Sequence, residues 1–168
     1  MIGSSETGPV IKVGMAQYRV ATPPASMMTV ALGSCLGLVL YDPVTRVGAL
    51  AHVMHPSRER VRNNVNRAKF VDTAIDLMLS MMSKKGAARS RITAKIFGGA
   101  RMFGHVTGSR GVIQIGQANV EAARRELAER NIPVLADSTG GSKGKTLLFD
   151  LSDGRVRTRD ADGKEAIY

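Results

Sequence analysis

The 168-residue chain has no tryptophan, one cysteine, three histidines and an aromatic content of only 4 %. A single cysteine, Cys35, excludes an internal disulfide and any zinc site built from cysteines. So few aromatics leave little material for stacking nucleic-acid bases, and no nucleic-acid partner is expected. No stretch approaches the roughly 18 consecutive apolar residues of a membrane helix, so no membrane insertion is expected. The opening Met1-Ile-Gly-Ser-Ser-Glu-Thr-Gly8 lacks the basic and apolar regions of a secretory signal, which points to a cytoplasmic protein. Acidic residues are also scarce, 14 against 24 Lys and Arg, for a net charge of +10. Such a surplus either solvates the surface or attracts an anionic partner.

What is present suits one globular domain. Hydrophobic residues make up 43 % and charged residues 23 %. Residues 1–8 are small and polar and read as a flexible N-terminus, leaving 9–168 as a single domain. Strands are expected within Val10–Val20 and at Met27–Leu32, Leu36–Tyr41, Arg46–Met54, Arg91–Phe97, Gly111–Ile115, Pro133–Asp137, Thr146–Leu151 and Arg155–Arg159. Ala68, Val71, Ile75, Met78, Leu79 and Met82 recur at helical spacing, with Gly86 as a C-terminal cap. Asn119–Arg130 is a second helix with Val120, Ala123, Leu127 and Ala128 on one face. Eight or nine strands arrive in runs rather than alternating with helices. That pattern predicts an α+β sandwich of mixed or antiparallel sheets with the two helices packed outside.

The segment Thr29–His52 carries the chemistry. Asp42-Pro43-Val44-Thr45 has the residues of a tight turn and would fold Leu36–Tyr41 back onto Arg46–Met54. A symmetric loop pairing Asp42 with Thr45 sets Cys35 directly opposite His52 on one face, Cβ atoms about 5 Å apart. An imidazole beside a thiol can accept its proton and activate it as a nucleophile. Gly33 and Ser34 put little bulk before Cys35, and nearby N–H groups would suit an oxyanion. Gly33-x-Cys35-x-Gly37 imitates a hydrolase nucleophile elbow, but a strand follows where the elbow needs a helix.

Other segments carry less. Gly140-Gly-Ser-Lys-Gly-Lys-Thr146 imitates a phosphate loop, yet Thr139 stands where its first glycine belongs and a strand follows. Lys143 and Lys145 remain candidates to face an anion. His55 and His105 have no metal-spaced neighbours, and no metal or other cofactor is expected. The arginine-rich run at 57–67 has no apolar period and reads as a loop.

Taken together, Thr29-Val-Ala-Leu-Gly-Ser-Cys35, Asp42-Pro43 and Gly48-Ala-Leu-Ala-His52-Val-Met54 resemble the chemoreceptor glutamine deamidase family, CheD. Phe70-Val-Asp-Thr-Ala74, Lys95-Ile-Phe-Gly98-Gly99-Ala-Arg-Met-Phe103, Ile115-Gly-Gln-Ala-Asn119-Val120 and Asp137-Ser-Thr-Gly-Gly141 extend the resemblance in order. It implies hydrolysis of glutamine side-chain amides on methyl-accepting chemotaxis receptors, giving glutamate and ammonia. It also implies a Cys-His-Thr triad of Cys35, His52 and Thr29, with Thr29 orienting the imidazole, and no cofactor. Gly98 and Gly99 join Gly33 and Ser34 in the expected substrate and oxyanion vicinity. The implied fold is related to bacterial deamidating toxins. A CheC-type phosphatase of the response regulator is a further implied partner. A non-catalytic adaptor that binds that phosphatase or the receptor is the alternative reading, and it has no need of all three triad residues.

Overall fold

Two strands buried on both faces organise the molecule. In the computed structural model, which describes residues 8–62, 65–102 and 114–168, every residue of β4 (Leu36–Asp42) and β5 (Val47–Val53) is buried. Near-continuous apolar runs of this kind belong between two layers rather than at a solvated face. Around them lie β1 (Val10–Lys12), β2 (Tyr18–Ala21), β3 (Ser26–Leu32), α1 (Val71–Lys84) and β6 (Thr93–Gly98). Then come α2 (Ile115–Glu129), β7 (Val134–Thr139), β8 (Lys145–Asp150), β9 (Val156–Asp160) and β10 (Glu165–Ile167).

The strands form two five-stranded sheets, ordered β1-β3-β8-β9-β10 and β2-β5-β4-β6-β7. Leu36, Leu38 and Leu40 with Val47, Ala49, Ala51 and Val53 face α1 and α2. Val39, Tyr41 and Leu50, on the opposite face, meet Met27, Leu32, Leu147 and Phe149 of the other sheet. Two glycines let the sheets approach. A Cβ on Gly37 would lie 2.9 Å from Leu32 Cδ1, and one on Gly48 only 2.3 Å from Leu151 Cδ2. Helix α1 ends in a Schellman motif at Gly86 (φ +94°): the Gly86 N–H donates to Ser83 O and the Ala87 N–H to Met82 O. Among the described residues, no helix is long and apolar enough to cross a membrane.

The α+β sandwich with both helices outside one sheet agrees with the sequence reading. Several details differ. Val10–Val20 is not one strand: Ala16 at φ +57° reverses the chain, and β1 and β2 enter different sheets. The described strands number ten, because β10 closes a hairpin through Asp162-Gly163 that the periodicity did not reveal. Ile115 opens α2 instead of ending a strand, and residues 111–113 of that expected strand lie outside the described residues. The expected flexible start at 1–8 also lies outside them, apart from Gly8. Within 57–67, described except for 63 and 64, Arg58–Arg60 forms a short 3-10 turn.

The β4–β5 register also departs from expectation. Asp42 pairs with Val47, not Thr45, because the loop spans residues 43–46 with Arg46 at φ +56°. Asp42 is fully buried and anchors this corner. Its carboxylate accepts from the Val44 N–H (3.0 Å), the Ala88 N–H (2.9 Å) and Arg91 Nε and Nη2 (3.0 and 2.8 Å). The Arg91 guanidinium and the backbone donors hold the Asp42 carboxyl well below the usual carboxylate range. Its contribution to stability is therefore complete above the unfolded-state value near pH 4 and is lost as pH falls further. Asp42→Asn is expected to lower unfolding free energy by about 2–3 kcal/mol at pH 7, by loss of charge-assisted bonds. In urea titrations, the gap between wild type and variant should narrow as pH drops below 4. A gap independent of pH would show that the charge is not what stabilises the corner.

Candidate active site

His52 lies near the end of β5 and faces Gly37 across the β4–β5 ladder. Cys35 precedes β4 by one residue, so the two are diagonal neighbours, not directly opposed as the expected turn required. The true register is offset by two residues. An offset of two preserves the side-chain alternation, so both residues still serve the face toward the other sheet. Cys35 packs against the inter-sheet cluster of Leu32, Phe97 and Leu147.

Thr29 reaches the same place from the facing sheet. Residues Met27 and Thr29 of β3 point inward and pair with Phe149 and Leu147 of β8. The register then shifts, with Ala31 at φ +57°, and the chain turns into Gly33-Ser34-Cys35. Thr29 Oγ1 and His52 Nδ1 lie 2.8 Å apart across the inter-sheet space. Thr29 is 1 % exposed and His52 2 %, so water does not compete for this bond. His52 Nε2 is also buried and has no hydrogen-bond partner among the described residues.

The loop holding Cys35 is fastened through its carbonyls. Gly33 O accepts from the Ala100 N–H (2.8 Å) and Cys35 O from the Gly99 N–H (2.9 Å). Ser34 O accepts from Asn119 Nδ2 of α2 (2.9 Å). Gly98, at φ +94°, passes so close that a Cβ there would sit 2.5 Å from Cys35 O. Gly98 and Gly99 therefore stand beside Cys35 as expected, but the Gly99 N–H already serves the Cys35 carbonyl. The Ser34 and Cys35 N–H groups have no backbone acceptor among the described residues.

Burial controls the electrostatics. It pushes the Cys35 thiol above its ordinary value and the His52 imidazole below its own. Each effect favours the neutral form. Thr29, unlike the carboxylate of many triads, has no charge to offset an imidazolium. Burial thus favours a neutral thiol beside a neutral imidazole.

The remaining candidates fall elsewhere. Lys143 and Lys145 do not stand ready for an anion: Lys143 pairs with Asp162, and Lys145 with Asp160 at 2.9 Å. His55 packs its ring on Phe70. His105 is outside the described residues. No group of three His, Cys, Asp or Glu among the described residues is placed to hold a metal ion. Sequence reasoning gave Asn119 no role. The available signal was an amide at a position of the apolar α2 face that also carries Val120, Ala123 and Leu127, and the structure buries it fully.

Comparison with known proteins bears on this arrangement. A solved structure of a Neisseria meningitidis protein of the DUF152 family model shares the fold, with a TM-score of 0.53 over 84 % of this chain and 75 % of that one, at 10 % identity. That likeness concerns the fold and does not speak to the expected kinship with deamidating toxins. The family model described as CheD chemotactic sensory transduction matches residues 54–160. A chemoreceptor glutamine deamidase CheD of Halalkalibacterium halodurans is 46 % identical over 151 residues, covering 89 % of this chain and 93 % of that protein. A probable chemoreceptor glutamine deamidase CheD of Thermococcus kodakarensis is 43 % identical over 161 residues, covering 94 % of this chain and 99 % of its own. Identity at this level along nearly the whole length, together with the matching family model, shows that the chain belongs to the CheD family.

Proposed function

We propose that this chain is a cytoplasmic protein-glutamine deamidase of chemotaxis receptors, with Cys35 as nucleophile, His52 as general base and acid, and Thr29 as the group that orients His52. The observation that carries the reading is the buried Thr29–His52 bond, which leaves Nε2 without a partner among the described residues at the sheet end that Cys35 occupies. The names of the relatives supply the substrate class.

The bond to Thr29 works through the tautomer. When Nδ1–H donates to Thr29 Oγ1, Nε2 is bare and can take a proton. When Oγ1 donates instead, Nε2 carries the hydrogen and the base is disabled. As a glutamine side chain arrives, the Cys35 thiol proton passes to His52 Nε2 and Sγ bonds to the amide carbon. The carbonyl electron pair moves onto oxygen. The pair returns as the C–N bond breaks, and His52 gives its proton to the departing nitrogen, releasing ammonia. Water then attacks the thioester, losing a proton to His52. The thiol is restored and glutamate is released. Overall, glutamine and water become glutamate and ammonia. A CheC-type phosphatase belongs to this reading as a second partner, and co-purification with the purified chain tests it.

Purified protein mixed with a receptor cytoplasmic fragment should release ammonia. Peptide mass spectrometry should place Gln-to-Glu changes, and both signals should vanish in Cys35→Ala and in His52→Ala. Wild-type protein inactive on several receptor fragments would favour the adaptor reading instead.

Thr29→Val keeps the shape but removes the hydroxyl. It should lower kcat by about 10–100-fold through loss of orientation, with Thr29→Ser retaining most activity. Equal activity in both variants would remove Thr29 from the mechanism.

Because burial depresses the His52 value, kcat/KM should hold down to a pH below about 6.5 before its acid limb begins. Alkylation of Cys35 by iodoacetamide should rise only at a pH above that of an ordinary thiol. An acid limb above pH 7 would contradict a neutral resting pair.

A further inference from the structure

We propose that Asn119 is a positioning residue that aims the Cys35 backbone N–H at the developing oxyanion and ties the nucleophile loop to the His52 strand. The proposal rests on the reading of Cys35 as a nucleophile.

One buried amide nitrogen serves both segments. Asn119 Nδ2 donates to Ser34 O at 2.9 Å and to Met54 O at 3.1 Å. Ser34 immediately precedes Cys35, and Met54 follows His52 by two residues. Asn119 is fully buried, and its Oδ1 is buried without a partner among the described residues. An unpartnered carbonyl oxygen in a core is costly, and an apolar residue would pack the helix face better if packing were its purpose. What the amide alone supplies is two N–H donors aimed at two carbonyls.

The peptide geometry connects this to the chemistry. Among the described residues only Pro23–Pro24 is a cis peptide, so the Ser34–Cys35 peptide is trans. In a trans peptide, C=O and N–H point in opposite directions. Fixing Ser34 O on the Asn119 side chain therefore turns the Cys35 N–H away from that carbonyl's partner on α2. The neighbouring peptide is set in the same way, because Gly33 O is held by the Ala100 N–H. Among the described residues neither the Ser34 nor the Cys35 N–H has a backbone acceptor, and these two consecutive donors are the ones the proposal assigns to the oxyanion. Helix α2 is itself pinned here. A Cβ on Gly116 would lie 2.6 Å from Ala100 O, and Val120 Cγ2 would be 2.4 Å from a Cβ on Gly99. The Asn119 side chain therefore has little freedom to follow a shifting loop.

Two reactions of the same thiol separate this role from general support of the fold. Acylation by p-nitrophenyl acetate forms an S–C bond while the carbonyl pair moves to oxygen, and then p-nitrophenolate leaves. Alkylation by iodoacetamide forms an S–C bond with loss of iodide and makes no oxyanion. In Asn119→Ala, the acylation rate constant should fall by about 10²-fold, the effect of losing one oxyanion donor. Alkylation should stay within about threefold, since an aimed donor is worth nothing to a reaction without an oxyanion. Cys35→Ala defines the background, and thermal melting verifies folding. Should Asn119→Ala not fold, Asn119→Asp preserves the shape and, when protonated, one donor, and it should show the same selective loss to a smaller degree. Both rates unchanged, or both reduced by one factor, would overturn the proposal, as would a wild-type thiol that alkylates but does not acylate. Wild-type protein that acylates with the predicted Asn119 dependence, yet deamidates no receptor fragment, would refute the deamidase reading and leave this one standing.

Discussion

Burial of β4 and β5 on both faces is the constraint from which the rest follows. A strand pair with helices on one side and a second sheet on the other has no route to water for its side chains. Apolar residues fill both interfaces, as Leu36, Leu38 and Leu40 do toward the helices and Val39 and Leu50 toward the sheet. Any polar side chain there needs an internal partner. Asp42 has four donors. Among the described residues His52 has one hydrogen-bond partner, Thr29, at Nδ1. A buried imidazole with one nitrogen satisfied and the other bare is expensive as structure and apt as chemistry. Burial at this strand pair raises the Cys35 thiol value and lowers the His52 imidazole value, favouring the neutral form of each.

The Thr29–His52 bond shows what a neutral partner can and cannot do. Thr29 offers His52 a hydrogen bond without charge. A carboxylate in its place would stabilise the imidazolium and pull the thiol proton across before substrate arrived. Hydrogen bonding to a hydroxyl leaves the resting site uncharged, which suits a position sealed between two sheets. In the reaction proposed above, the thiol becomes nucleophilic only as its proton passes to the imidazole.

Around Cys35 the backbone, more than the side chains, is organised. Three consecutive carbonyls, of Gly33, Ser34 and Cys35, accept hydrogen bonds from Ala100, Asn119 and Gly99. The glycines permit this rather than participate in it. Gly98 lacks the Cβ that would strike Cys35 O, and Gly99 lacks one that would strike Val120. Two separate stretches of chain thus converge on the tripeptide that joins β3 to β4: the end of β6 and helix α2.

Much of this was legible in the sequence, for identifiable reasons. Apolar runs at 36–41 and 46–54 declared strands, helical spacing over 68–82 declared α1, and Gly86 declared its end, whereas the burial of both strand faces emerged only in the fold. The pairing of Cys35 with His52 on one face survived a wrong register because side-chain alternation has a period of two. Thr29 was singled out by family resemblance, since nothing local marks a threonine in a strand as the partner of a histidine 23 residues away. The split of 10–20 between two sheets, the pairing of Lys143 and Lys145 with aspartates, and the convergence on Asn119 were not legible. The sequence by itself determined which residues are buried and which could be reactive, because periodicity and residue chemistry are local. Only the tertiary structure decided what faces what across the sheets, because contacts between distant segments depend on loop geometry and register that no local pattern encodes.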